Sequence, residues 1–190
     1  MIMSKKISPL LILVTILFLS ACSDPGPIGA PPTLENGAPA PNFKVEKLDG
    51  KVVTLDDFKG APLVLTFMAS WCPCSNDSAP VFKEAYTKYH PQGVEFFMLG
   101  MQDSRSKFTN FVKDKGFTYP AAFDKGDAIA RTYGVSAPPT TFFIDSSGKV
   151  VSSFYGKIVE KEKLSSWIDQ IVALPPVQEK AKESKNATTE

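Results

Sequence analysis

The chain has 190 residues, 43% of them hydrophobic and 22% charged, with 21 basic against 20 acidic side chains, one His and three Cys. That is the length of one ordinary domain with extensions. A formal charge of +1 supplies no field that would hold a phosphate backbone, which argues against nucleic-acid binding. So few His and Cys give no expectation of a structural zinc module.

Lys5 and Lys6 precede an apolar run from Ile7 to Leu19, which is short for a membrane span and has the layout of a secretory signal. The run ends in Leu19-Ser20-Ala21-Cys22, which resembles the lipobox of bacterial lipoproteins. The resemblance implies a signal peptide over residues 1–21 and a lipid-bearing Cys22 as the first mature residue. An extracytoplasmic, membrane-anchored protein is therefore expected, facing the periplasm in a Gram-negative cell. Disulfides persist outside the cytoplasm, so Cys72 and Cys74 read as redox chemistry before metal chemistry. Residues 22–37 are rich in Pro, Gly and Ala and read as a tether, able to span roughly 50 Å at about 3.1 Å per residue. Pro175-Pro176 stops the last helix, and the Lys/Glu/Ser/Thr stretch over residues 175–190 reads as an unfolded tail. One domain is left, over residues 38–174.

Within it, Asn42 to Leu48 and Lys51 to Leu55 flank Asp49-Gly50 and predict a hairpin. Leu63 to Met68 is an apolar run suited to a central strand buried on both faces. Phe82, Ala85, Tyr86 and Tyr89 carry the spacing of a helix. Val94 to Met101 predicts a second central strand, and Phe108, Phe111 and Val112 the helix after it. Ile129, Ala130 and Tyr133 mark a shorter helix closed by Gly134. Strands follow at Thr141 to Ile144 and Val150 to Tyr155, around Ser146-Ser147-Gly148. Leu164, Trp167, Ile168, Ile171 and Val172 form the inner face of a last helix. This order argues for an α/β sandwich with a mixed sheet.

The chemistry concentrates in Phe67-Met-Ala-Ser-Trp-Cys-Pro-Cys-Ser-Asn-Asp-Ser-Ala-Pro80. Two thiols stand where a buried strand becomes a helix, and the free N–H groups of a helix start favour a thiolate there. Pro73 suits a first turn and predicts that both thiols face solvent at the element end. The aromatic residues Tyr86, Tyr89, Phe96, Phe97, Phe108 and Phe111 read as core, Arg105 and Arg131 as solvated faces, and His90 as a surface cap of the first helix.

These segments together resemble the thioredoxin-like proteins of the TlpA/ResA type, within the wider redoxin group. The likeness rests on Ala38-Pro-Ala-Pro-Asn-Phe43, Leu55 to Pro62, Trp71-Cys72-Pro73, Tyr119-Pro120 through Asp124, Tyr133-Gly134-Val135, Pro139-Thr-Thr-Phe142, Ile144-Asp145 and Gly148. It implies a thioredoxin-like sandwich with an N-terminal β-hairpin extension and a thiol-disulfide oxidoreductase that acts on exported proteins and an external redox partner, without cofactor. Cys72 matches the attacking cysteine, and Trp71, Pro73, Pro138 and Pro139 match the residues that bound the substrate site. A cis Pro138-Pro139 bond opposite Cys72 is expected, and Pro138 has no N–H to offer a bound peptide.

The sequence departs from the family at the resolving position, which holds Ser75, while the second thiol comes one residue early at Cys74. Three chemistries stay open. Cys72 and Cys74 could pair as a strained, oxidising Cys-x-Cys disulfide. Cys72 could act alone with an external thiol, including through a sulfenic acid; the Thr or Ser that peroxiredoxins place three residues ahead is replaced by Ala69. The domain could instead be a non-catalytic module for a partner or a metal, though the copper-chaperone redoxins need a distant His on a late loop, and His90 is the sole His. The places that hold a buried acid in relatives are Thr66 and Ser78; Asp77 could stand in for it, but reads first as a solvated acid on the helix face.

Overall fold

The computed structural model describes residues 34–174. Cys22, the signal segment and the tail over residues 175–190 lie outside the described residues. Five strands form one sheet in the order β5-β4-β3-β6-β7. They are β3 (Leu63–Met68), β4 (Glu95–Gly100), β5 (Ala121–Phe123), β6 (Thr140–Ile144) and β7 (Val150–Tyr155). β3, β4 and β5 run parallel, whereas β6 and β7 are antiparallel to their neighbours. A separate hairpin pairs β1 (Lys44–Glu46) with β2 (Val52–Thr54) across the Asp49-Gly50 turn. Gly50 takes φ +86° there, a backbone region that glycine enters without a Cβ penalty.

The apolar run of β3 is buried at every position because both sheet faces are covered. Val64 and Met68 point with Phe96 and Met98 of β4 toward α1 (Pro73–Tyr89), α2 (Arg105–Asp114) and α4 (Lys161–Ala173). Leu63, Leu65 and Phe67 point with Phe97 and Leu99 toward α3 (Ala128–Thr132), Tyr133 and the hairpin. The register Val64↔Phe96 and Leu65↔Phe97 keeps each set on its own face. Pro80 sits inside α1 and removes one helical N–H donor. At Gly100, the last residue of β4, an added Cβ would stand 2.4 Å from the Phe108 ring, so glycine is what lets α2 close on the sheet.

Several expectations need correction. β5 escapes the sequence pattern because three residues behind Pro120 carry no period. It completes the sheet edge, which the hairpin covers through Leu48 N–H to the Ala121 carbonyl at 2.8 Å. Arg105 is not merely solvated: it bonds Glu46 at 2.9 Å and ties α2 to the hairpin, though both partners are about half exposed and such pairs stabilise little. Tyr86 is half-buried rather than core and stacks on His90 at 4.7 Å, while His90 caps α1 by donating its backbone N–H to the Tyr86 carbonyl. Leu34 to Gly37, expected as the end of the tether, touch the domain: Gly37 N–H reaches the Val150 carbonyl at 2.7 Å, and Leu34 packs on the core.

Candidate active site

β3 ends at Met68, and the chain crosses Ala69, Ser70 and Trp71 before entering α1. Cys72 is the N-cap of that helix, in extended conformation, with Pro73 in the first turn where its missing N–H costs nothing. The Cys72 carbonyl accepts from Asn76 N–H at 3.1 Å and from Asn76 Nδ2 at 2.9 Å. The same Nδ2 donates to the Ser70 carbonyl at 3.0 Å, so one asparagine fixes the bend that presents the thiol. Sequence reading passed over Asn76, although an amide one turn after a candidate nucleophile on a helix is a readable signal.

The thiol expected in solvent is in fact 6% exposed, a correction with a simple cause. The loop before β6 folds over it, and Cys72 Sγ donates to the Pro138 carbonyl at 3.5 Å. The Pro138-Pro139 bond is cis. That loop is pinned from both ends, by Thr140 Oγ1 to the Ala137 carbonyl at 2.8 Å and by Gly156 N–H to the Pro139 carbonyl at 2.9 Å. Pro138 is half-buried and Pro139 buried, while Pro73 and Trp71 are exposed, Trp71 to 57%. Cys72, Trp71 and Pro138 thus converge on one surface. Both thiols are free, and Cys74 is half-buried.

Ser75 is fully buried, and its Oγ accepts from Ala69 N–H at 3.2 Å. Its hydroxyl stitches the end of β3 to the first turn of α1. Ser78 and Thr66 are buried too, and Ser78 Oγ donates to the Cys74 carbonyl at 2.9 Å while accepting from Ile158 N–H at 3.0 Å. The segment after β7 is thereby held against the turn that carries Cys74. Asp77 is half exposed and pairs with Lys157 at 3.0 Å. Hydrogen bonding to the Asp77 carboxylate holds the Lys157 ammonium above the ordinary lysine pKa, and charge on Cys74 acts in the same direction. Among the described residues no cluster of three or more His, Cys, Asp or Glu could hold a metal ion.

A second set of residues on the rim was not foreseen. Trp71 Nε1 donates to the Gln102 carbonyl at 2.7 Å, and Ser70 N–H to Asp103 Oδ2 at 2.7 Å. Both acceptors belong to the turn just after β4, where no residue type announces a role.

Comparison with known proteins points to one family for the chain. The Redoxin family profile matches residues 35–169. Over 139 residues the chain is 41% identical to the thiol-disulfide oxidoreductase ResA of Bacillus thuringiensis subsp. konkukian, covering 73% of this chain and 79% of that protein. It is 35% identical to ResA of Bacillus subtilis over 129 residues, covering 67% and 72% respectively. Among solved structures, a protein assigned as thiol:disulfide interchange protein DsbE from Chlorobium tepidum superposes with TM-score 0.69 at 30% identity, over 74% of this chain and 99% of that one.

Proposed function

The chain belongs to the Redoxin family and is a thiol-disulfide oxidoreductase, and we propose that it works outside the cytoplasm through Cys72 as nucleophile and Cys74 as partner thiol. The observation that carries this reading is Cys72 Sγ at the N-cap of α1, 3.5 Å from the Pro138 carbonyl. The N-terminus of α1 lies at that sulfur, and the cis-proline loop opposite it bounds the other side of the groove a substrate would enter.

In the forward step the Cys72 thiolate attacks one sulfur of a substrate disulfide, and the other leaves as a thiolate that takes a proton from solvent. Cys74, its proton given up to solvent, then attacks Cys72 Sγ; the mixed S–S bond breaks, the second substrate sulfur leaves as a thiolate that takes a proton from solvent, and a Cys72-Cys74 disulfide remains. An external dithiol returns that pair to the reduced state. Trp71 and the proline loop bound the substrate, and Pro73 holds the turn. The substrates are disulfides or thiols of exported proteins. Cys22 would carry the lipid that keeps the enzyme at the membrane, a reading supported by the Leu19-Ser20-Ala21-Cys22 sequence.

The test is turnover of insulin disulfides with an external dithiol, together with intact mass of the enzyme after substrate is added. Cys72→Ser should abolish both turnover and the covalent adduct. Full activity in Cys72→Ser would end the assignment.

A further inference from the structure

We propose that Gln102 is a positioning residue that sets the width of the substrate groove, an inference that rests on the thiol-exchange reading above. Gln102 follows β4 in the left-handed region at φ +48°, where a non-glycine side chain is uncommon. Three of its polar groups reach three separate segments. Its carbonyl accepts from Trp71 Nε1 at 2.7 Å, its backbone N–H donates to Asp127 Oδ1 at 2.7 Å, and its Nε2 donates to the Ser136 carbonyl at 2.8 Å.

Trp71 is next to the nucleophile, and Ser136 leads into Ala137-Pro138-Pro139. The glutamine therefore ties the two walls of the groove to each other from one side. Asp127, which receives its N–H, is also left-handed at φ +56°. Two adjoining residues in a sparsely populated backbone region, joined by a 2.7 Å bond, mark a place where the surrounding structure over-determines the chain. Asp103 reinforces the strut by accepting from Ser70 N–H on the nucleophile's side. Met101 N–H bonds the Met68 carbonyl at 3.0 Å, so the whole turn is fixed to the end of β3.

The consequence is specific. A substrate disulfide carried on a folded protein must fit between Trp71 and the proline loop, whereas a small disulfide reaches Cys72 without spanning the groove. Loosening the Ser136 link should weaken binding of the first and leave chemistry on the second.

The experiment uses the full chain with Gln102→Gly and Gln102→Glu. Glycine keeps the backbone donor and acceptor, removes the Ser136 bond and suits the positive φ; glutamate keeps the length and loses the donor. Both variants should raise KM for insulin about three- to tenfold, the range that one lost hydrogen bond of ordinary strength spans. Their kcat with hydroxyethyl disulfide should stay within about twofold of the parent, and relief of the positive φ in Gln102→Gly should offset part of the stability lost with the Ser136 bond, so that this variant stays folded under assay conditions. Unchanged KM for insulin in either variant would overturn the proposal, as would a rise in KM matched by an equal fall in kcat for the small disulfide. Failure of the underlying reading shows separately, as hydroxyethyl disulfide turnover that survives Cys72→Ser.

Discussion

Moving the partner thiol by one residue tests the mechanism at its least conventional point. Cys74→Ser removes the resolving thiol, and Cys74→Ser/Ser75→Cys returns one at the buried position one residue later. The structure sets the cost of the second change. Ser75 Oγ is fully buried and accepts from Ala69 N–H at 3.2 Å. Sulfur is a weak acceptor, so about 1 kcal/mol of that bond is lost. Fitting the larger atom beside β3 adds about 1 kcal/mol or more of overpacking. A domain of ordinary stability, about 5–15 kcal/mol, stays folded. The kinetic effect is larger. A thiol on a short connection acts at millimolar or higher effective concentration, and far higher where geometry is fixed. With external thiol held at about 0.1 mM, Cys74→Ser should therefore turn over at least about tenfold slower than the parent. It should also accumulate a mixed disulfide on Cys72, visible by intact mass. The double variant should recover turnover and lose the adduct. A Cys74→Ser enzyme as fast as the parent would refute the paired mechanism and leave Cys72 acting alone. Recovery that failed although the thiol introduced at position 75 could be alkylated would show that resolution depends on something other than a thiol in reach of Cys72.

Two further substitutions test the frame that holds the site. Gly100→Ala puts a Cβ at 2.4 Å from the buried Phe108 ring, and overpacking of this kind costs about 1–3 kcal/mol; urea unfolding should show a lower midpoint, partly restored when Phe108→Leu is added. Asp124 is buried, and its carboxylate accepts from Ile129 N–H at 3.1 Å and Ala130 N–H at 2.8 Å at the start of α3. Asp124→Ala should cost about 2–4 kcal/mol of stability, because two donors lose a charged acceptor; an unchanged urea midpoint would refute that.

The sequence exposed what depends on burial and hid what depends on turns. Leu63 to Met68 could be placed because a run apolar at both parities has few homes other than a central strand, and Val150 to Tyr155 because glycine and serine bracket it. β5 could not, since three residues have no period and owe their extended shape to Met98↔Ala121 pairing with β4. At the site, Trp71, Cys72 and Pro139 were visible as residue types with few structural alternatives at such positions. The prediction of two exposed thiols failed at Cys72 because its cover comes from Pro138, 66 residues away in the chain. Gln102 and Asp103 had no signal at all: their roles come from backbone groups and one amide, and any polar turn would read the same.

The burial of Cys72 and the replacement of the usual N–H donor by proline at 138 bear on each other. A substrate chain laid along the cis-proline loop loses a backbone hydrogen bond at that residue, worth about 1 kcal/mol. The Pro138 carbonyl is meanwhile occupied by the Cys72 thiol. When Cys72 becomes a thiolate or enters a mixed disulfide, it has no proton left to donate, and this carbonyl is freed at the moment a substrate is attached. The acceptor that the resting thiol holds is then open to an N–H of the bound chain. On the proposed thiol-exchange reading, recognition would thus shift from a permanent donor on the loop to an acceptor released by the chemistry itself, with the exposed indole of Trp71 available for apolar contact at the opposite wall.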